Sequence, residues 1–316
     1  MQTKNLTSVT EFDFVGLSND RNIQILLFII FLTIYLVTIL GNLGIILLVL
    51  VDSHLHTPMY FFLTNLSGIE ICYVTSTVPQ MLAHLLTGTG TISFTRCAAQ
   101  MYIALSLGCT ECILLGAMAY DRYLAICAPL LYAGAMNRGR QWQLASVSWS
   151  GGFLIAMIDV ISTLQHPFCG TNRINHFCCE VPMLLKLACG DTHFTEFAIF
   201  VVAVVILLVP LSIILTSYGL ILFSVLQMKS AAGRSKAFSI CASHLLVVTL
   251  FYGTIITMYM KPQSSTSGDF DKQMAVFYIV VTPLLNPIIY TLRNKDVHAA
   301  VAKVLRRRGS KQMVKL

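Results

Sequence analysis

The sequence predicts an all-α membrane protein: a seven-transmembrane helix bundle followed by a short C-terminal amphipathic helix. Two observations support this prediction. The 316 residues are 56% hydrophobic and only 11% charged, whereas soluble domains carry about 25% charged residues. In addition, seven separate stretches are mostly apolar over about 20 residues or more, the length that a helix needs to cross a bilayer.

The seven predicted spans follow one another without linkers or internal repeats. The second, fourth and sixth carry more Thr, Ser and Gly than a lipid-facing surface requires, which is typical of helices packed inside a bundle. The polar start of the chain, residues 1–24, argues against a cleaved signal peptide. The spans cover residues 25–51, 58–85, 97–122, 142–164, 197–227, 238–260 and 273–292.

The basic residues predict the orientation of the bundle. With the amino terminus outside, 14 of the 21 Lys and Arg lie in the inner segments, beside only three acidic residues. Because excess positive charge marks the cytoplasmic side, we expect an extracellular tail over 1–24, the seven-helix domain over 25–292 and a cytoplasmic helix and tail over 293–316. The sequon at Asn5 fits glycosylation of the outer tail.

The chain after the seventh span alternates apolar and basic residues with helical spacing. The sequence predicts an amphipathic helix over 294–308 whose apolar side includes Val297 and Val301. Lys303 and Arg306–Arg308 are expected to contact anionic lipid headgroups.

Two acidic residues lie within predicted spans at matching depths. Glu70 is 12 residues into its span and Glu111 is 11 residues before Arg122, so both lie about 17 Å from the inner rim at 1.5 Å per residue. Two ionised carboxylates there would repel each other strongly. We therefore expect either a proton on one of them or a cation between them.

Several motifs occur at the ends and centres of the spans. They are GN at 41–42, LHTPMYFFL at 55–63, MAYDRYLAIC at 118–127, SY at 217–218, KAFSICASHL at 236–245 and PLLNPIIY at 283–290. With them the chain resembles the olfactory receptors, a branch of the rhodopsin-like G-protein-coupled receptors, and its outer loop resembles their tetrapod class (class II). Three residues depart from the family pattern: Glu70 replaces the usual Asp, Cys178 an aromatic residue, and Ala128 a His or Asn.

The resemblance implies a switch at the cytosolic ends of the helices. Asp121 is expected to neutralise Arg122 at rest, and activation is expected to move the sixth helix outward so that Arg122 faces a G protein. For the pair Glu70 and Glu111 the resemblance suggests bound sodium as the metal, and a shared proton stays open as the alternative. The residues assigned to the switch are Asp121, Arg122, Tyr218, His244, Asn286, Pro287 and Tyr290.

Five of the ten cysteines lie near the predicted extracellular face, where the compartment is oxidising. The resemblance implies that Cys97 pairs with Cys179 and that Cys169 pairs with Cys189. Sequence alone does not fix the connectivity, so Cys97 with Cys189 and a competing role for Cys178 stay open.

The resemblance also places a ligand cavity in the outer half of the bundle. Its lining would be apolar, with Tyr252, Tyr259 and Asp159 as polar groups, which suits a small hydrophobic ligand. Ala104 stands where amine receptors carry Asp, which argues against a biogenic amine, and the seventh span has no Lys for a retinal cofactor. The assigned residues are Ala104, Leu105, Gly108, Cys109, Cys112, Val202, Ala203, Ile206, Tyr252, Ile255, Ile256, Tyr259, Val276 and Ile279, with Leu207 beside them.

The sequence thus predicts an odorant receptor of the plasma membrane, in olfactory cilia, whose partners are a small volatile odorant, a stimulatory olfactory G protein and the lipid bilayer. Activation would raise cyclic AMP. A receptor for a metabolite or lipid fragment outside the nose is the alternative.

An enzyme is not expected, because no nucleophile, base and orienting group occur together, and no cofactor is expected beyond the sodium ion. A transporter would require paired broken helices and a polar path. The net charge of +7 reflects topology, so no nucleic-acid partner is expected.

Overall fold

The computed structural model describes residues 9–169, 171–227, 229–259, 268–292 and 297–303, with backbone only at residues 236, 239, 240, 259, 268, 269, 291 and 292. In these residues the chain forms a bundle of seven long helical segments. Six of the seven are long and apolar enough to cross a membrane. The remaining one, α2 (Pro58–Thr87), is 30 residues long but more polar, and its core positions include Tyr60, Phe62 and Glu70.

The helices agree with the predicted spans, although several continue beyond them. The fifth segment begins at His193, and the sixth begins at Ala231 and ends at Tyr259. These extensions are solvent-side turns that an apolarity criterion does not capture. The segments are α1 Arg21–Val51, α2 Pro58–Thr87, α3 Phe94–Cys127, α5 Arg138–Leu164, α7 His193–Gln227, α8 Ala231–Tyr259, and a last segment of α9 Gly268–Val276, a π-helical turn Phe277–Val281 and α10 Thr282–Leu292.

Local signals account for several helix ends. The Asp20 side chain accepts hydrogen bonds from the backbone N–H groups of Asn22 and Ile23 and so caps α1. Pro58 opens α2, where its missing N–H costs nothing. That helix ends at Gly88, whose φ of 75° suits glycine.

Helix α3 is the centre of the bundle and packs against α2, α5, α7 and α8. Small residues allow the closest approach. A Cβ added at Gly152 of α5 would lie 2.2 Å from Thr110 Oγ1 and 2.6 Å from the Thr110 backbone nitrogen. Tight contacts between small residues are the usual means of helix association in a membrane, where the hydrophobic effect contributes little.

A small sheet covers the outer end of the bundle. Strand β1 (Glu11–Phe14) pairs antiparallel with β2 (Thr91–Ser93) and parallel with β3 (Arg173–Ile174). Phe12 and Phe14 point into a cluster beneath it and are 1% and 3% exposed. The region expected to be a simple tail therefore contains a strand, with apolar residues alternating with Glu11 and Asp13.

Two disulfides hold the outer loop. Cys97 at the start of α3 is joined to Cys179, and Cys169 is joined to Cys189. These are the two pairs that the resemblance implies. Cys178 is a free, buried thiol beside the first bridge. The short helix α6 (Val181–Leu185) follows directly.

The inner end of the bundle carries a 3₁₀ turn (Ser53–Leu55), α4 (Pro129–Ala135) and a final helix, α11, over residues 297–303. Val297 is buried and Val301 is partly buried against the core, as the amphipathic pattern predicts. Lys303, however, forms an ion pair with Asp52, with Nζ and Oδ1 3.0 Å apart. The lysine expected to contact headgroups thus holds α11 to the end of α1, because folding brings a carboxylate within its reach.

Candidate functional site

A cavity of about 100 Å³ lies in the outer half of the bundle, beneath the bridged loop. All five residues predicted from the third span line it, because positions separated by one, three and four residues share one face of a helix. Ala203, Ile206 and Leu207 of α7 and Ile255 of α8 complete the predicted part of the lining. The third-span residues are Ala104, Leu105, Gly108, Cys109 and Cys112.

Five other residues predicted to line the cavity are not part of its wall, and Tyr252, Ile256 and Val202 are three of them. Tyr252 is 3% exposed, and its hydroxyl donates a hydrogen bond to the carbonyl of Cys112 at 3.0 Å, so it joins α8 to α3. Ile256 packs against the core next to it. Val202 is not among the residues around the cavity. The side chain of Tyr259 lies outside the described residues.

The shape of the last helical segment explains why Val276 and Ile279, the other two predicted residues, do not line the cavity. Val276 and Ile279 pack with residues of α1 and α2 in a second apolar cluster; Tyr278 belongs to the same cluster and also lines the cavity. The π-helical turn Phe277–Val281 lies at this point. Because such a turn contains an extra residue, it changes which side chains face inward relative to an ideal α-helix.

The structure adds two polar groups, Glu180 and Tyr278, that the sequence pattern did not assign to the lining. Glu180, immediately after the bridged Cys179, lies at the cavity wall together with Tyr278, whose hydroxyl donates a hydrogen bond to it. Asp159 on α5 also lines the cavity and is 5% exposed. A carboxylate inside an apolar span was the sequence signal for Asp159. Glu180 had no such signal, because only the folding of the loop brings it to the cavity.

The Asp159 carboxylate is incompletely satisfied. Its Oδ1 atom is buried and has no hydrogen-bond partner among the residues that the structure describes. A buried acceptor without a partner costs about 1–3 kcal/mol. Over the ranges that the structure describes, the cavity therefore offers unpartnered carboxylate oxygens, from Asp159 and from Glu180, in an otherwise mostly apolar wall.

A second polar cluster lies deeper in the bundle, around Glu70 and Glu111. Both are buried, and they are close enough for their charges to interact. The side-chain amide of Asn286 donates a hydrogen bond to Glu70. In the described part of the chain, Glu70 Oε2, Glu111 Oε1 and Asn286 Oδ1 are buried without partners. Three such oxygens suit a hard cation, which prefers oxygen ligands.

The carboxyl-terminal part of α3 carries Asp121 and Arg122. Both are buried, but within the described residues they form no ion pair with each other. Instead, the hydroxyl of Tyr132 on α4 donates a hydrogen bond to Asp121 Oδ1 at 2.8 Å. The physical reason is that consecutive residues of a helix do not face each other.

Three of the other predicted switch residues, Tyr218, His244 and Tyr290, lie near Arg122. Tyr218 on α7 and His244 on α8 are hydrogen-bonded, with the hydroxyl oxygen 2.6 Å from Nδ1. Arg122 lies within electrostatic range of both and of Tyr290. Pro287 packs against Gly41 of α1, where an added Cβ would lie 3.3 Å from its ring. The inner helix ends are therefore joined through polar side chains around one cation.

The architecture defines a class: a multi-pass helical membrane protein with an outer cavity and an inner polar cluster, as in seven-helix receptors. Comparison with known proteins then gives the family. The profile of the family described as "Olfactory receptor" matches residues 31–308. The chain is 53% identical to human olfactory receptor 2D2 over 97% of this chain and 99% of that one. It is 48% identical to mouse olfactory receptor 5B21 over 96% and 95% of the two chains. The chain belongs to the olfactory receptor family and is a receptor, not an enzyme.

Proposed function

We propose that the protein is an odorant receptor that binds a small, largely hydrophobic volatile molecule in its outer cavity and activates a stimulatory, olfactory-type G protein. The observation that supports this most is the path along α3. One helix carries the bridged Cys97, five residues of the cavity wall and the buried Arg122. The wall of the outer cavity and the cation at the inner rim thus belong to one rigid helix.

The cavity chemistry narrows the ligand class. Its wall is mostly aliphatic, so apolar burial supplies most of the binding free energy. A ligand of about ten heavy atoms gains limited affinity, roughly micromolar or weaker. The unpartnered oxygen of Asp159 favours odorants that carry one hydrogen-bond donor, such as an alcohol, phenol or amine. Ala104 argued against an amine ligand, because amine receptors carry an Asp at that position. In this structure Asp159 on α5 supplies a carboxylate to the same cavity.

The signalling step follows from the inner cluster. In the resting arrangement the Tyr218–His244 hydrogen bond holds α7 and α8 together beside Arg122. Outward movement of the inner end of α8 would separate this pair and open space for a G-protein segment to contact Arg122. Asn286, Pro287 and Tyr290 on α10 would adjust with it. The G protein would then raise cyclic AMP.

The deeper cluster is proposed to regulate this movement. A sodium ion held by Glu70, Glu111 and Asn286 would favour the resting arrangement, since it would join α2, α3 and α10 through their unpartnered oxygens. A proton shared between the two carboxylates is the alternative occupant. No other cofactor is required.

The proposed placement is the plasma membrane of olfactory cilia, with the amino terminus outside and the carboxyl terminus in the cytoplasm. The proposed division into a tail over 1–24, the domain over 25–292 and the cytoplasmic part over 293–316 follows from it. Asn5 would be glycosylated; it lies outside the described residues. The excess of basic residues in the inner segments supports this orientation.

The test is a cyclic AMP reporter assay in cells that express the receptor and the olfactory G protein, screened against a volatile library. We expect agonists among small hydrophobic alcohols, phenols or amines. The variant Arg122→Ala should reach the surface at the normal level yet give at least a tenfold smaller response. Normal signalling by this variant would refute the proposed switch, and an absence of agonists in the library would refute the ligand class.

A further inference from the structure

We propose that His176, Cys178 and Glu180 form a binding site for a borderline divalent cation, zinc above all, in the extracellular loop beside the cavity. The imidazole, thiol and carboxyl ligand atoms all lie within 4.8 Å of one another, and all three residues are buried. Sulfur, nitrogen and oxygen donors in one small volume are the ligand types that zinc uses in proteins.

Two of the three distances between ligand atoms are close to those of tetrahedral coordination. His176 Nδ1 is 3.2 Å from Cys178 Sγ, and Cys178 Sγ is 3.7 Å from Glu180 Oε1. Zinc bonds of 2.0–2.3 Å place neighbouring ligand atoms roughly 3.3–3.8 Å apart. Shifts of a few tenths of an ångström would therefore bring these donors into coordinating positions. Three protein ligands leave a fourth position for water.

The backbone explains why these residues are together. The segment 176–180 contains no regular helix or strand. Phe177 and Cys178 pack into one apolar cluster, and Cys179 is fixed by its disulfide and by a hydrogen bond from its N–H to Gln100 Oε1 at 2.9 Å. These contacts hold the residues between His176 and Glu180 in place.

The polar atoms of the site are incompletely satisfied. Among the described residues, Glu180 Oε2 and His176 Nε2 are buried without hydrogen-bond partners. His176 Nδ1 accepts a hydrogen bond from the Cys178 backbone N–H at 3.3 Å, which a cation bound at Nδ1 would replace. The Tyr278 hydroxyl donates to Glu180, as groups around a metal site commonly do to orient a ligand.

Metal binding would change the charge of the site in a defined way. The cation replaces the thiol proton of Cys178, which leaves to solvent. Burial raises the pKa of this thiol well above its ordinary value, so the loss of the proton costs energy that the zinc–sulfur bond must offset. Because Glu180 also lines the cavity, zinc would offset the negative charge of its wall. This consequence rests on the proposed odorant function, whereas the metal site itself does not.

The site depends on a residue that departs from the usual family pattern. Cys178 stands where olfactory receptors usually have an aromatic residue, so Cys178→Phe removes the thiol and returns the family pattern. Cys72 is an exposed free cysteine on α2 and provides a matched control through Cys72→Ser.

The test measures zinc on the purified full-length receptor, with its disulfides intact and no odorant or G protein added. Equilibrium dialysis with zinc chloride should give one high-affinity zinc per chain in the wild type and in Cys72→Ser. Affinity should fall at least tenfold in Cys178→Ser, Cys178→Phe and Glu180→Gln. X-ray absorption at the zinc edge should show one sulfur among nitrogen and oxygen ligands.

Three results would overturn the proposal: no bound zinc in the wild type, equal affinity in Cys178→Phe, or a zinc spectrum without sulfur. Surface expression and the thermal melting of each variant show whether it has folded, and Cys178→Phe provides a variant with the family's own residue if Cys178→Ser does not fold. Since the readout needs no agonist, failure of the odorant assay and failure of the zinc assay are separate results.

Discussion

The sharpest prediction concerns the carboxylate of Asp159 and the odorants that reach it. The residue is 5% exposed, lines the cavity and carries an oxygen without a partner in the described part of the chain. A ligand O–H or N–H that reaches this oxygen supplies a partner to a buried acceptor that has none, which is worth about 1–3 kcal/mol. Each 1.4 kcal/mol is about tenfold in affinity.

The expected effect follows from these magnitudes. Asp159→Leu should raise the half-maximal concentration of an agonist with a donor by about 10- to 100-fold. An ether or ketone with the same carbon skeleton should change by less than about threefold, because it offers no donor to lose. Asp159→Asn, which keeps an acceptor but not the charge, should fall between the wild type and Asp159→Leu.

The assay is a cyclic AMP dose–response measurement, corrected for surface expression, with paired donor and donor-free odorants. Asp191→Asn makes the same chemical change at an exposed position and is the matched control. Equal losses for an alcohol and its matching ether would show that Asp159 acts through packing and would refute the reasoning. Unchanged dose–response curves for every donor odorant in Asp159→Leu would do the same.

Two further predictions test the cavity and the helix packing. Leu105→Trp places a larger side chain at the cavity wall; it should weaken large agonists at least tenfold and spare the smallest ones, and an unchanged ranking across the odorant library would remove Leu105 from the site. Gly152→Ala sets a Cβ against the Thr110 backbone nitrogen at 2.6 Å, whereas at Gly151 the nearest atom is the Cδ1 end of the flexible Ile113 side chain at 3.1 Å. Overpacking costs about 1–3 kcal/mol, so surface expression measured by antibody labelling should fall several-fold for Gly152→Ala and little for Gly151→Ala. Equal expression of the two variants would contradict the close packing of α3 and α5.

The sites show where reasoning from the sequence succeeds and where it ends. The five cavity residues of α3 follow from spacing on a single helix, and the structure places all of them together. Val276 and Ile279 illustrate the opposite case, since one π-helical turn changes the direction of the side chains around Tyr278. An ideal helical repeat does not reveal such a turn.

Contacts between distant segments were also beyond the sequence pattern. The pairing of β1 with β2 and β3 joins segments roughly 80 and 160 residues apart in sequence. The alternation of Phe12 and Phe14 with acidic residues indicates a strand, but it does not identify the partners. The sequence predicted that Lys303 contacts lipid headgroups. Only the folded structure places Asp52 Oδ1 3.0 Å from Lys303 Nζ.

The sequence by itself determined the seven-helix membrane architecture, the expected orientation and the family motifs, because apolar length and charge asymmetry act locally and need no knowledge of neighbours. The tertiary structure decided which groups meet. It placed Asp159 and Glu180 at the cavity wall, joined Tyr218 to His244, and brought the donors of His176, Cys178 and Glu180 together. These encounters depend on helix rotation and loop closure, which are set by the packing of the whole bundle rather than by any one segment.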